Sequence, residues 1–248
     1  MLIFISLGST FPDEEETYEI VFKIISLFYF VFSLPVFFLI GRTDELKVSN
    51  KSIQKIRGNW SEHNPFILFL AAIFFTSEGA ITVIYFASIY SKEVLGFTIF
   101  DTALWLGFGQ IVGIFSTIGL AALANRTDEL KVLILCSIIW ILALILITLT
   151  TSKTLYYAVA FLVGLVIGSI PSIARGYVGK IIPIENRAEA YGLTSTVTRF
   201  AAIFGPLSYI LVAGLYGQLY AILAPVPFFI IGIFILIFIH RSESKDFS

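Results

Sequence analysis

Two charged side chains fall where a membrane would leave them without water. Glu78 and Arg199 each lie inside an apolar run long enough to cross a bilayer. Charge at that depth is expensive and faces a cavity or a partner. Glu78 lies 13 residues beyond Pro65, roughly 20 Å along a helix at ~1.5 Å per residue. Arg199 lies nine residues beyond Ala190, roughly 14 Å by the same rise. An arginine so placed suits a bound carboxylate, and a glutamate suits a proton or a cation. The structural alternative is an ion pair within one helix bundle, formed directly or through water. Gln110 and Ser195 are the neutral polar candidates, Ser195 within the hydroxyl row Thr194, Ser195, Thr196 and Thr198. Such hydroxyls often bond their own helix carbonyls instead. Gly107, Gly109 and Gly113 beside Gln110 let helices approach closely. Arg175, Arg126 and Lys131 stand at or near the ends of runs and suit gating or loop anchoring.

Other chemistries lack their residues. One cysteine and two histidines are too few for a metal cluster, so no metal and no cofactor is expected. No His/Asp or Ser/Lys pair falls within a run, which sets an enzyme aside. No P-loop is present, and nothing marks a nucleic-acid surface. The sequons at Asn50, Asn59 and Asn125 read as chance matches.

The elements that must position these residues are plain from hydropathy. Apolar residues make up 58% of the 248 and charged ones 13%, about half the charge of a soluble domain. A span needs about 20 mostly apolar residues. The runs 19–40, 65–90, 98–123, 132–151, 155–178, 190–216 and 219–239 qualify. Lys and Arg sort by side, twelve in alternate connections against two, Lys92 and Lys153, in the others. The basic side is cytoplasmic, so the expected orientation is N-terminus outside and C-terminus inside. These loops should meet anionic lipid headgroups. Trp60, Trp105 and the Tyr156-Tyr157 pair fit interfacial belts or cavity walls. The expected organisation is a remnant of a preceding helix and outer loop at 1–18, and one span at 19–40. A cytoplasmic linker at 41–64, a six-helix bundle at 65–240 and a tail at 241–248 follow. The heptapeptide RTDELKV occurs at 42–48 and again at 126–132. Both copies place Asp and Glu at a helix start, which suits the helix dipole.

Six runs separated by an inner connection after the third match a 3+3 inverted repeat. ALANRTDELKV, residues 122–132, resembles the loop consensus G-x-L-a-D-r-x-G-r-K of the major facilitator superfamily, with Asn125 in place of its Asp. Residues 167–211 resemble the vacuole-effluxer-like, or autophagy-22-like, branch of that superfamily. Gly168, Arg175, Ile182 and Pro183 fit one motif; Ala188, Glu189, Gly192 and Ser195 fit a second; Arg199, Ala201, Gly205, Pro206 and Leu207 fit a third. Pro171 and Gly176 depart from the first. Ser77-Glu78-Gly79 stands for the branch's Asn-Asp-Gly. The resemblance implies an all-α integral membrane protein, a C-terminal six-helix transporter bundle with one extra helix before it. It implies efflux of amino acids or similar small solutes, and the expected location is the plasma membrane. Its partners would be lipid, the solute, and either a separate N-terminal half or a second copy of the chain. A non-transporting scaffold and a seven-helix receptor are the alternatives, the latter without a lysine in 219–239 to hold retinal.

Overall fold

In the computed structural model, residues 14–39, 64–149 and 152–246 are described, and they are helical with short connections. The chain forms two units, residues 1–55 and 56–248. The first contains α1, Glu14–Leu39, apolar over Phe22–Pro35. The first RTDELKV copy and most of the expected linker lie outside the described residues, as do residues 1–7, Asn50, Asn59 and Trp60.

The second unit holds α2 (Asn64–Glu93), α3 (Ile99–Arg126), α4 (Glu129–Leu149), α5 (Lys153–Ile167) and α6 (Ser169–Ile181). The chain continues through α7 (Arg187–Tyr216), the short α8 (Gln218–Ala221) and α9 (Val226–Asp246). Local signals set the boundaries. Thr98 and Asp101 form a reciprocal capping box at the start of α3. Ser152 caps α5 through the Leu155 N–H at 3.2 Å. Asp128 Oδ1 accepts from the Leu130 and Lys131 N–H groups at 2.8 and 3.3 Å and so opens α4. Gly217, at φ 88°, ends α7 in a conformation that a side chain would strain.

Two spans differ from their expected limits. The run expected at 155–178 is two helices that meet at Gly168, together a span of Thr154–Ile181. Pro171, in the first turn of α6, has no N–H to offer the Ile167 carbonyl one turn back. The last span starts at Val226 instead of 219, because 219–221 belong to the one-turn α8 and 222–225 turn back with hydrogen bonds such as Ala224 N–H to Ala221 O at 3.0 Å. Pro227 then fits the first turn of α9, where a missing N–H costs nothing. Residues 241–246, expected as tail, continue α9.

The six spans pack as two interleaved units of three. α3 lies on α5 and α6, and α7 lies on α2; α4 lies on α5 and α6, and α9 lies on α2; α4 and α9 meet each other. Exchanging α2, α3 and α4 for α5–α6, α7 and α9 leaves that contact pattern unchanged, as an inverted repeat requires. The α3–α5 seam is built on small residues. A Cβ on Gly164 would stand 2.6 Å from the Gly109 carbonyl, and Ser116 Oγ donates across the seam to the Gly164 carbonyl at 3.0 Å. The α2–α7 seam is built on rings, Phe74 on Phe204 and Phe86 on Tyr209, with centroids 5.7 and 3.8 Å apart.

Candidate functional site

A cavity of about 620 Å³ opens where α2, α6 and α7 face one another over Trp140 of α4. Its wall is apolar, with Ile73, Ile81 and Ile170, but Ser77, Ser195 and Arg175 also line it. The hydroxyl row on α7 divides by partner. Thr194 Oγ1 donates to Ala190 O at 2.8 Å, Thr196 Oγ1 to Gly192 O at 2.9 Å and Thr198 Oγ1 to Ser195 O at 3.0 Å. Ser195 is the member of that row that keeps its hydroxyl for the cavity. Arg175, read from the sequence as a gating residue, stands on the cavity wall, and its carbonyl accepts from Tyr191 Oη at 3.3 Å.

Glu78 lies behind this wall, at the α2–α7 seam. It is fully buried, and neither carboxyl oxygen has a hydrogen-bond partner among the described residues. Gly205 makes the room: a Cβ there would stand 3.1 Å from Glu78 Oε1 and would collide with Thr82 Oγ1. Thr82 Oγ1 is itself engaged, donating to the Glu78 backbone carbonyl at 2.9 Å. Arg199 is exposed, one residue past the cavity-lining Thr198. The two charges therefore make no direct contact, and the direct form of the ion pair weighed from the sequence is absent. Arg199 stands a third of a turn round α7 from Thr198.

Gln110 lines a second, narrow cavity of about 40 Å³, bounded by α2, α3 and α5. Trp105 lines it too, but the aromatic residues at this end belong to the core more than to an interfacial belt. Trp105 Nε1 donates to the Tyr156 carbonyl at 2.8 Å, and Tyr156 Oη to the Ala87 carbonyl at 3.3 Å. Their rings stack with centroids 4.7 Å apart. Gly109 and Gly113, beside Gln110, serve the close α3–α5 approach.

At the basic end, Arg126 and Lys131 are exposed, and other residues of the heptapeptide make the contacts. Glu129 accepts from Lys180 of α6 at 2.9 Å. Asp128 Oδ2 lies 3.1 Å from His240 Nδ1 of α9, and Tyr177 donates to Glu243. The 126–132 copy of RTDELKV is thus a helix turn that ties α4 to α6 and α9. Sequence reasoning missed Ser77, Trp140 and this network. The heptapeptide repeat was the signal available for the network, but nothing in it names Lys180 or His240 as partners.

A bundle of two inverted three-helix units, with an apolar-walled cavity that carries a few polar side chains between its helices, has the architecture of a transporter bundle. The chain belongs to the Major Facilitator Superfamily, whose family model matches residues 1–206 and 122–248. It is 27% identical over 206 residues to the "Uncharacterized MFS-type transporter YxiO" of Bacillus subtilis (strain 168), covering 83% of this chain and 47% of that protein. It is also 27% identical over 169 residues to Autophagy-related protein 22-1 of Aspergillus niger, covering 62% of this chain and 27% of that protein. This second similarity agrees with the motifs of 167–211. Its fold is similar to that of the POT family transporter PepTSo, with a TM-score of 0.62 and 14% identity over 72% of this chain and 37% of that one. The chain spans about half the length of the first relative and about a quarter of the second.

Proposed function

We propose that this chain supplies one half of a secondary transporter that moves small solutes such as amino acids out of the cell by alternating access. The observation that carries the reading is the cavity of about 620 Å³, wide enough for a small metabolite, with aliphatic walls and a few polar groups. Ser77 and Ser195 would hydrogen-bond the solute, and Arg175 would meet an anionic group. Arg199 would reach the same solute from the open side of α7. Gln110 would serve on the far side of the path, and Glu78 would carry a coupling proton or cation. Arg126 and Lys131 would act at the basic end as loop anchors. The charge sorting supports a plasma-membrane orientation with the basic end in the cytoplasm.

A half needs something to rock against. In the most apolar stretches of α3 and α7 only 11% and 17% of the residues are buried, against 50% in α2 and in the α5–α6 span, with α9 at 22%. Those faces suit a separate N-terminal half or a second copy. The test is solute movement in proteoliposomes that contain only purified 1–248. No transport alone, with activity restored by a polypeptide carrying the N-terminal helices, is the expected result. Saturable transport by a monomeric chain, abolished by Arg199→Ala, would defeat the half-transporter reading. A scaffold would stay inactive under both conditions.

A further inference from the structure

The wide cavity carries one sign of charge. Arg175 is the ionised residue that lines it, and no aspartate or glutamate stands beside it on the wall. The Arg175 guanidinium is exposed and has no partner among the described residues, since only its carbonyl is engaged, by Tyr191. Glu78 follows Ser77 in the chain, but it lies at the α7 seam and not on the cavity wall. The hydroxyls sort in the same way. Tyr191, Thr194 and Thr198 each donate to a backbone carbonyl, which leaves Ser77 and Ser195 as the free hydroxyl donors. The indole N–H of Trp140, under the cavity, is also unpartnered among the described residues. The site therefore offers donors and a positive charge, and no counter-charge for a cation.

Polarity is also graded along the helix axes. α6 runs toward the basic loops and α7 starts from them, so Arg175 and Ser195 sit toward the basic end of the cavity. Ile84 of α2 and Ile167 of α5 line the other end, and the lining from Ile73 to Ile84 covers roughly 16 Å of α2 at ~1.5 Å per residue. An aliphatic space with a cation and a free hydroxyl at one end is complementary to an anion with a hydrocarbon body. We propose that the cavity takes an aliphatic carboxylate, its carboxylate at Arg175 and Ser195 and its hydrocarbon against Ile81, Ile84, Ile167 and Ile170. A carboxylate accepts charge-assisted hydrogen bonds from a guanidinium, about twice as strong as neutral ones. An ammonium group in the same place meets a like charge, which disfavours it. This rests on the transporter reading of the cavity and narrows its solute. This half reads the carboxylate and the hydrocarbon, and an amino group adds nothing to binding here.

The test uses the full chain, purified in a neutral detergent. Thr198→Cys puts a thiol on the cavity wall, and the native Cys136 is fully buried and gives an unlabelled background. N-ethylmaleimide, which is uncharged, labels the new thiol. Four molecules built on one branched skeleton compete with it at matched ionic strength: 4-methylpentanoate, its amide, leucine and isopentylamine. 4-Methylpentanoate is expected to slow labelling at the lowest concentration. Its amide should need at least about tenfold more, since it forgoes a hydrogen bond to a charged group. Leucine should need no less than 4-methylpentanoate, and isopentylamine should give no protection. Arg175→Gln should raise the concentration of 4-methylpentanoate for half protection about tenfold. An unchanged labelling rate without competitor shows that this variant is folded, and Arg175→Lys, which keeps the charge, should lose less. Stronger protection by leucine, or any by isopentylamine, would overturn the carboxylate class and leave the transporter reading standing. So would a folded Arg175→Gln protein that binds 4-methylpentanoate as before. Protection by phosphatidylglycerol in mixed micelles, with none by 4-methylpentanoate, would make the cavity a lipid seat and end the proposal. Protection by none of these molecules would remove the solute site, and the transporter reading of the cavity with it.

Discussion

Glu78 is buried with both carboxyl oxygens unpartnered among the described residues. An uncompensated buried polar group costs about 1–3 kcal/mol by mutational measures, and a charged one more. Glu78→Met keeps the length of the side chain and removes that cost. It is expected to raise the midpoint of thermal unfolding in detergent and, in proteoliposomes where a polypeptide carrying the N-terminal helices has restored activity, to abolish solute movement driven by a proton gradient. A lower midpoint would mean that the carboxyl has a stabilising partner, and persistent gradient-driven movement would end its coupling role. Gly205 is the other half of this arrangement. Gly205→Ala drives a methyl into Thr82 and against Glu78, and overpacking of this kind costs about 1–3 kcal/mol. Gly214, on the same helix with nothing within 4 Å of its would-be Cβ, is the control. Gly214→Ala should leave the melting curve where it is or move it upward, since alanine is the better helix former.

Between elements, the two parallel seams are built differently. α3 meets α5 backbone to backbone, through Gly109, Gly113 and Gly164, and neither partner can yield by turning a side chain. Gly164→Ala should therefore separate the helices and destabilise the bundle more than Ser116→Ala does. The latter removes one interhelical hydrogen bond of 3.0 Å, worth about 0.6 kcal/mol in a membrane. Melting curves of the two variants in one detergent decide the order, and a larger loss for Ser116→Ala would contradict the close-packed seam. At the basic end, Asp128 both opens α4 and contacts α9. Lys180 is 65% exposed, so its pair with Glu129 is largely screened. Asp128→Ala should cost about 1 kcal/mol through the lost cap, and Lys180→Ala should cost less. A reversal would place the stability of this end in the ion pair.

For the molecule as a whole, the exposed faces of α3 and α7 are the surfaces on which a partner would close the cavity. Phe115 of α3 and Leu211 of α7 are 72% and 65% exposed, and Phe238 on α9 is 62% exposed. Exposure alone does not separate a docking face from a lipid face, because lipid is as apolar as leucine. The single substitutions Phe115→Cys, Leu211→Cys and Phe238→Cys do. Labelling each with a thiol-directed benzophenone photo-cross-linker and irradiating native membranes should attach the first two variants to a partner chain, and the third should stay monomeric. Cross-linking of the Phe238→Cys variant alone would move the interface to α9. A product of twice the chain's mass would identify the partner as a second copy.

Hydropathy and charge sorting were enough to read the membrane class, the six spans and their three-plus-three order, because a bilayer imposes length and polarity on every segment that crosses it. The motifs of 167–211 were enough for the superfamily. The start of the last span was not legible: LYAILAP, residues 219–225, is as apolar as a span but splits into the one-turn α8 and a turn at 222–225 before Pro227. Depth along a helix was legible for Glu78 and Arg199, but direction around it was not. Glu78 and Ser77 are neighbours in the sequence, yet one faces the α7 seam and the other the cavity. Roughly 100° of rotation per residue makes a helix present adjacent residues to different surroundings. Which surroundings those are depends on the helices packed alongside. Only tertiary packing could separate Glu78 from Arg199 and bring Ser77, Arg175 and Ser195 to one cavity.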